Sequence, residues 1–127
     1  MTPSLARGAE AYKQTLVQSR SPLELVVMLY DGALRFMEQA AEAMDRRDMP
    51  AKAEALSRSF AIIAELQNTL NVRDGGELAR QLDALYAHMH DRLVDANVQR
   101  SSAPIREVIA LLTPLRDAWS QVATPAA

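Results

Sequence analysis

The sequence predicts an all-α protein, an antiparallel up-down four-helix bundle with an N-terminal arm packed on it. Hydrophobic residues make up 49% of the 127 residues but aromatic residues only 5%, and much of the apolar fraction is Ala and Leu. These two residues lose little side-chain freedom in a helix. Four stretches repeat apolar residues every three or four positions, and the short connections between them make neighbouring helices antiparallel.

The first helix has a strong start signal at residues 21–24. Ser21 can accept a hydrogen bond from a free backbone amide, Pro22 suits the first helical position, and Glu24 completes a capping box. An apolar stripe follows, and Asp45 to Asp48 with Pro50 end the helix. The stripe consists of Leu25, Leu29, Ala33, Met37, Ala40 and Met44.

The second and third helices meet at a glycine turn. The second helix takes Pro50 in its first turn and runs to about Asn71, and Gly75-Gly76 predicts a tight turn after it. The third helix is expected to end between residues 97 and 102, with the Asn97 side chain bonding to the backbone there. The apolar positions are Leu56, Phe60, Ile63, Leu66 and Leu70 in the second helix and Leu78, Leu82, Leu85, Met89 and Leu93 in the third.

The fourth helix is predicted from about Ser102 to Val122. Pro114 lies inside it, and because proline lacks the amide that would bond the Ala110 carbonyl, we expect a kink or a break there. The chain therefore divides into an arm over residues 1–20, a single bundle domain over residues 21–122, and a loose tail over residues 123–127.

Charge and hydropathy exclude several classes of function. The net charge is −2, and the 14 basic residues are scattered among 16 acidic ones, so no basic stripe is expected to bind nucleic acid. The N-terminus lacks the apolar segment of a signal peptide, and the longest apolar run, residues 25–30, is too short to insert in a membrane. The absence of cysteine is weakly informative, and the cytoplasm is the expected location.

The sequence offers no catalytic, cofactor-binding or metal-binding set. His88 and His90 are two residues apart and would point to nearly opposite sides of a helix, and neither follows a Glu by three residues, as a di-metal bundle requires. His88 with Arg92 one turn later permits a second, weaker interpretation, a histidine phosphotransfer domain. The lysine and glycine usual beside such a histidine are missing, and we expect a protein that is not an enzyme.

A set of ordered motifs resembles the FliS family of flagellin export chaperones across residues 11 to 122. The motifs are Tyr12 with Val17, Ser21-Pro22-Leu23-Glu24-Leu25, Met28-Leu29-Tyr30-Asp31-Gly32-Ala33, Phe36, Leu66-Gln67-Asn68-Thr69-Leu70-Asn71, Gly75-Gly76-Glu77-Leu78-Ala79, Leu85-Tyr86, Leu93-Val94-Asp95-Ala96-Asn97 and Leu115-Arg116-Asp117-Ala118-Trp119.

The resemblance implies a cytoplasmic chaperone without catalytic activity. Such a protein binds the C-terminal region of newly made flagellin, prevents its premature polymerisation, and delivers it to the type III export apparatus. It further implies that the arm covers part of the binding groove as a lid until the client displaces it, and Tyr12, Leu16 and Val17 are the residues expected to do so.

The helices carry more apolar side chains than one core needs, which favours a binding groove between them. Small residues would let a guest helix approach closely, and larger ones would supply contact area. The expected groove residues are Ala40, Ala41, Ala53, Phe60, Ile62, Ala64, Ala84 and Trp119. An adaptor or secretion chaperone for a non-flagellin client stays open as an alternative, as does a homodimer.

Overall fold

A computed structural model describes residues 21–70 and 75–123, and this part of the chain forms four helices. They are α1 (Pro22–Asp45), α2 (Met49–Thr69), α3 (Gly76–Gln99) and α4 (Ala103–Ala123). The all-α prediction and the four predicted helices are confirmed. The predicted lid residues Tyr12, Leu16 and Val17 lie outside the described residues, as do residues 124–127 of the predicted tail.

The first two helices begin at side-chain caps. The Ser21 hydroxyl accepts a hydrogen bond from the Glu24 amide at 3.1 Å, and Pro22 is the first helical residue, as predicted. Asp48 caps α2 in the same way, because its carboxylate accepts from the Ala51 amide at 3.2 Å. Each cap satisfies one of the amides that a helix start leaves without a backbone partner.

Two tight turns close one end of the bundle. Arg47 and Arg100 adopt left-handed backbone conformations, with φ of 61° and 55°. The following amides, of Asp48 and Ser101, reach back to the Ala43 and Ala96 carbonyls at 2.9 and 3.1 Å. This pattern satisfies carbonyls that the helix ends would otherwise leave free.

Two local expectations in α3 and α4 were wrong. Asn97 does not end α3, since the helix continues to Gln99 and the Asn97 side chain accepts a hydrogen bond from Lys52. Of the kink or break expected at Pro114, the break is absent, because α4 runs unbroken from Ala103 to Ala123; the kink stays a prediction. Pro114 and Ala110 are both exposed, so water can satisfy the carbonyl that the proline leaves unpaired.

The helices pack as a ring in chain order, and α1 also contacts α4. The α1–α2 and α1–α4 backbones approach closely, whereas α3 packs less closely against both of its neighbours. Among residues 21–70 and 75–123, neither diagonal pair of helices brings its backbones into contact. None of the helices, over the described residues, is long and apolar enough to cross a membrane.

Small residues explain the close approach of α1 to its neighbours. Ala33, Ala40 and Ala41 are fully buried, and a Cβ added at Gly32 would lie 3.1 Å from Ile62 Cδ1 in α2. Larger buried side chains fill the space nearer α3 and α4. They include Met37, Ile63, Leu66, Tyr86, Met89, Leu93, Ile105, Val108 and Leu112.

Candidate functional site

Three contacts between side chains set the alignment of α2 against α3. Lys52 Nζ donates to Asn97 Oδ1 at 2.7 Å, and Gln67 Nε2 donates to Asp83 Oδ1 at 3.3 Å. Between them the rings of Phe60 and His90 pack with centroids 5.0 Å apart. The two helices are therefore antiparallel, with Phe60 and His90 at the middle of the line where they meet.

Small exposed residues border this line on both helices. Ala53 and Ala64 stand seven residues before and four after Phe60, so they share its side of α2, and both are exposed. Ala87 and Val94 stand three before and four after His90 and are also exposed. We call this surface the α2/α3 trough; its residues are Ala53, Phe60, Ala64, Ala87, His90 and Val94.

The trough combines the properties of a docking surface for a helix. Its alanine side chains are short, so a guest backbone can approach closely, while Phe60 and Val94 add apolar area. Val94 is 38% exposed, and Val98 one turn further along α3 is 74% exposed. Sequence reasoning missed Ala87, Val94 and Val98, although the exposed i, i+4 pair Val94 and Val98 lies off the core stripe of the third helix.

The residues predicted for the groove do not form one surface. Ala53, Phe60 and Ala64 lie at the α2/α3 trough. Ala84 is exposed, but it stands six residues before His90 and so points about 120° away around α3. Ala40 and Ala41 are fully buried in the core. In this conformation they allow close packing within the bundle and offer no wall to a guest.

Ile62 and Trp119 lie on other sides of the bundle. Ile62 is half-buried and faces Gly32 at the α1–α2 contact. Trp119 is half-buried at the α1–α4 contact, where its Nε1 donates to the Tyr30 hydroxyl at 3.3 Å. The predicted set is therefore spread over three places: the trough with the neighbouring face of α3, the core, and the two contacts of α1.

A second apolar seam lies between α3 and α4. Arg92 donates to Glu107 through Nε and Nη2 at 3.0 and 2.7 Å, which fixes the alignment of these two helices. Leu85, Leu111 and Leu115 are half-buried and pack on the core. At the end of the bundle far from the Arg47 and Arg100 turns, Leu78 in the first turn of α3 and Val122 in the last turn of α4 are each 59% exposed.

The α1–α4 contact is closed by charged side chains. Arg106 bridges Glu38 at 3.2 Å and Asp45 at 2.8 Å, while Arg116 donates to both oxygens of Asp31 at 2.7 and 3.3 Å. The hydrogen bond to Asp31 raises the pKa of Arg116 above its usual value. These pairs leave little apolar surface here for a guest.

A groove of about 460 Å³ lies between α1 and α2. The guanidinium carbons of Arg35 and Arg58 lie 5.0 and 5.3 Å from the ring centroid of Phe36 at one end of it. Four of the eight lining residues are charged, namely Glu42, Arg46, Glu54 and Arg58, while Phe36, Ala51 and Ala55 supply an apolar part. A guest helix in this groove would have to pair with these charges as well as bury its apolar face.

The histidines and acids do not assemble into a reactive site. Within the described ranges there is no group of three or more His, Asp or Glu side chains that could hold a metal ion. His88 is exposed, and Arg92, the partner required for phosphotransfer chemistry, is bound to Asp95 and Glu107. This arrangement disfavours the phosphotransfer interpretation.

A buried polar cluster joins three helices in the core. The Tyr30 and Tyr86 hydroxyls are hydrogen-bonded at 2.5 Å, and Tyr30 also accepts from Trp119. Burial raises the pKa of both tyrosines above the usual value of 10.0, so both hydroxyls stay protonated and uncharged near neutral pH.

Comparison with known proteins gives one consistent family. The family model of the flagellar protein FliS matches residues 5–126. The flagellar secretion chaperone FliS of Bacillus subtilis is 41% identical over 111 residues, covering 87% of this chain and 82% of the relative. The Salmonella typhimurium FliS chaperone is 38% identical over 126 residues, with 95% and 93% coverage, and that of Escherichia coli is 35% identical over 121 residues, with 91% and 89%.

Proposed function

The chain belongs to the FliS family of flagellar proteins, and we propose that it is a secretion chaperone for flagellin. In this proposal it binds the C-terminal region of newly made flagellin, prevents premature polymerisation, and assists delivery to the flagellar export apparatus. The observation that carries the proposal is the exposed α2/α3 trough, a surface of small and apolar residues with no bundle helix packed on it.

The trough supports binding of an amphipathic helix. The alanines on both helices permit close backbone contact, and the apolar residues at its centre can bury the hydrophobic stripe of a guest. An unfolded client segment can form that helix as it binds, at the cost of the entropy lost on ordering. Burial of further segments, for example on the α3/α4 seam, would offset this cost.

The pairing of the charged residues supports a role in binding without catalysis. Arg92, Arg106 and Arg116 are engaged in ion pairs between helices, so these side chains stabilise the bundle. A chaperone for secretion must act before its client leaves the cell, which supports a cytoplasmic location for this chain.

Isothermal titration calorimetry tests the proposal. The full-length chain is titrated with the C-terminal segment of flagellin from the same organism, and the N-terminal segment of that flagellin is the control. We expect one-to-one binding with a negative heat-capacity change for the C-terminal segment, because apolar surface is buried, and no binding for the control. Equal binding of both segments, or of neither, would contradict the proposal and favour a non-flagellin client.

A further inference from the structure

The proposed function makes no use of the polar cluster at the centre of the bundle. Tyr30 is 0% and Tyr86 1% exposed, and their hydroxyls are hydrogen-bonded inside a core built mostly of Ala, Met, Leu and Ile. A buried hydrogen-bonded pair specifies geometry, because the bond between the two hydroxyls is lost if the helices shift.

The two tyrosines connect helices whose backbones do not approach each other. Tyr30 belongs to α1 and Tyr86 to α3, which stand diagonally across the ring with no backbone contact over the described residues. The side chains meet end to end through their hydroxyls, and the rings are edge-to-face with centroids 6.3 Å apart. We call this pair the tyrosine bridge.

Rigid side chains make the bridge suitable as a spacer. A tyrosine has only two rotatable bonds, and its ring cannot shorten, whereas Leu or Met can repack to fill a narrower space. The α1 end is itself fixed, since Tyr30 also accepts from Trp119 of α4, and its neighbour Asp31 is bound by Arg116. The bridge therefore sets the distance of α3 from an anchored α1.

The position of α3 determines the width of the trough. Tyr86 lies one turn before His90, which packs on Phe60 at the middle of the α2/α3 trough. A shift of α3 towards α1 would move Ala87 and Val94 relative to Ala53 and Ala64. Because α3 packs less closely on its neighbours than α1 does, other contacts resist such a shift less.

We infer that Tyr30 and Tyr86 are positioning residues, which hold α3 away from α1 and keep the α2/α3 trough at the width that a client helix requires. The position of α3 that the two tyrosines set is a property of the free protein. The consequence for client binding rests on the proposed function.

Three variants of the full-length chain test this inference. Tyr86→Phe keeps the ring and removes one hydroxyl, and Tyr86→Leu removes the rigid ring as well. Ile105→Val is the matched control, because it removes one buried methylene in the first turn of α4 and leaves the bridge intact. Hydrogen exchange of the free proteins and calorimetry with the C-terminal flagellin segment are measured for each.

For Tyr86→Phe we expect amides of α3 to exchange roughly tenfold faster relative to those of α1 and α2, the factor that corresponds to the loss of one buried hydrogen bond. Client affinity should fall by a similar factor, and Tyr86→Leu should reduce it further. For Ile105→Val, exchange should rise evenly across the helices, with affinity within about twofold of the parent chain.

Either of two results overturns the inference. One is that the exchange rate of the α3 amides rises no more in Tyr86→Phe than in Ile105→Val. The other is that client affinity falls in proportion to global stability, to the same extent in both variants. The proposed function fails separately, when the parent chain binds no flagellin segment. In that case the exchange of α3 amides alone decides whether the bridge positions this helix.

Discussion

At the scale of single residues, Asp45 shows how one carboxylate can join two helices. It is the last residue of α1, and it accepts from the Ser102 hydroxyl at 2.6 Å and from Arg106 Nη2 at 2.8 Å. The hydrogen bond from Ser102, followed by that from Arg106, holds the pKa of Asp45 below its ordinary value of 3.8. The ionised form is thus favoured in the folded state.

This depressed pKa predicts a specific loss of stability in acid. A group with a lower pKa in the folded state stabilises the fold above its unfolded pKa, and the contribution disappears as the pH falls below 3.8 through the folded value. Asp45→Asn should therefore be less stable than the parent at pH 7, and the two should converge in strong acid. Urea unfolding at a series of pH values measures this.

Ser102→Ala provides the control, because it removes the hydrogen bond that lowers the pKa of Asp45 most and leaves Arg106 in place. Its stability should lie between those of the parent chain and Asp45→Asn at neutral pH. If the difference in unfolding free energy between the parent chain and Asp45→Asn stayed the same down to the lowest pH, the Asp45 carboxylate would not stabilise the fold in this way.

At the scale of one helix, Pro114 is a local weakness in α4 that the rest of the bundle tolerates. The helix passes through it unbroken, and the Thr113 hydroxyl donates to the Ile109 carbonyl at 2.8 Å one turn earlier. Packing on α1 and α3 holds both halves of α4, with Leu112 fully buried and Arg116 bound to Asp31. Tertiary contacts thus override a residue that disfavours helix.

Replacing this proline should stabilise the protein. Pro114→Ala restores an amide for the Ala110 carbonyl and removes no core contact, since Pro114 is exposed. We expect the free energy of unfolding to rise by roughly 1–3 kcal/mol in urea titrations. Thr113→Ala, which changes the same turn without adding an amide, should not show this gain. If the free energy of unfolding of Pro114→Ala equalled that of the parent chain, water would satisfy the Ala110 carbonyl as well as a backbone amide does.

The N-terminal arm supplies the second prediction at this scale. Tyr12, Leu16 and Val17 are predicted to cover part of the groove, and a client would then bind only the fraction of molecules in which the arm is displaced. Deletion of residues 1–18 should speed client association and increase the binding of a dye for apolar surface. Stopped-flow fluorescence measures the first effect, and dye titration the second.

Deletion of residues 1–8 is the matched control for the arm. It shortens the chain at the same end but keeps all three predicted lid residues, so association and dye binding should stay at the parent values. Equal rates and dye binding for the parent chain and the longer deletion would dispose of the lid.

At the scale of the whole molecule, the positions of the helices could be predicted from the sequence, whereas the residues that form one binding surface could not. The cap at Ser21 is a local interaction between residues three apart, and the period of the core stripe is likewise local, so both were predictable. Gly32 can be read from the sequence as a residue without a side chain, and in the structure it packs against Ile62. Its partner could not be known without the packing.

The fate of each alanine depends on how the helices are rotated and which neighbours they meet. Ala40 is fully buried whereas Ala53 is exposed, yet both are alanines within predicted amphipathic helices. Pairing of α2 with α3 through Phe60 and His90 also decides that Ala87 and Val94 border one trough. Such pairing joins residues about 30 apart in the chain, where periodicity carries no information.

The final prediction is that client affinity is localised to the α2/α3 trough. Ala64→Gln and Ala87→Gln add long side chains where a guest helix would approach, and glutamine keeps the helix propensity high. Both positions are exposed, so stability should change by no more than about 0.5 kcal/mol. We expect each variant to weaken binding of the flagellin C-terminal segment roughly tenfold, a loss of about 1.4 kcal/mol.

Two controls make this test specific. Ala110→Gln places the same change on the exposed face of α4, and Ala84→Gln places it on α3 but away from the trough. Affinity should be unchanged in both if the client lies between α2 and α3. A loss at Ala84 equal to that at Ala87 would extend the contact over the outer face of α3, as the original groove prediction required. If Ala110→Gln lost as much client affinity as Ala64→Gln and Ala87→Gln, glutamine would be acting through stability or solubility. The trough would then no longer be the binding surface.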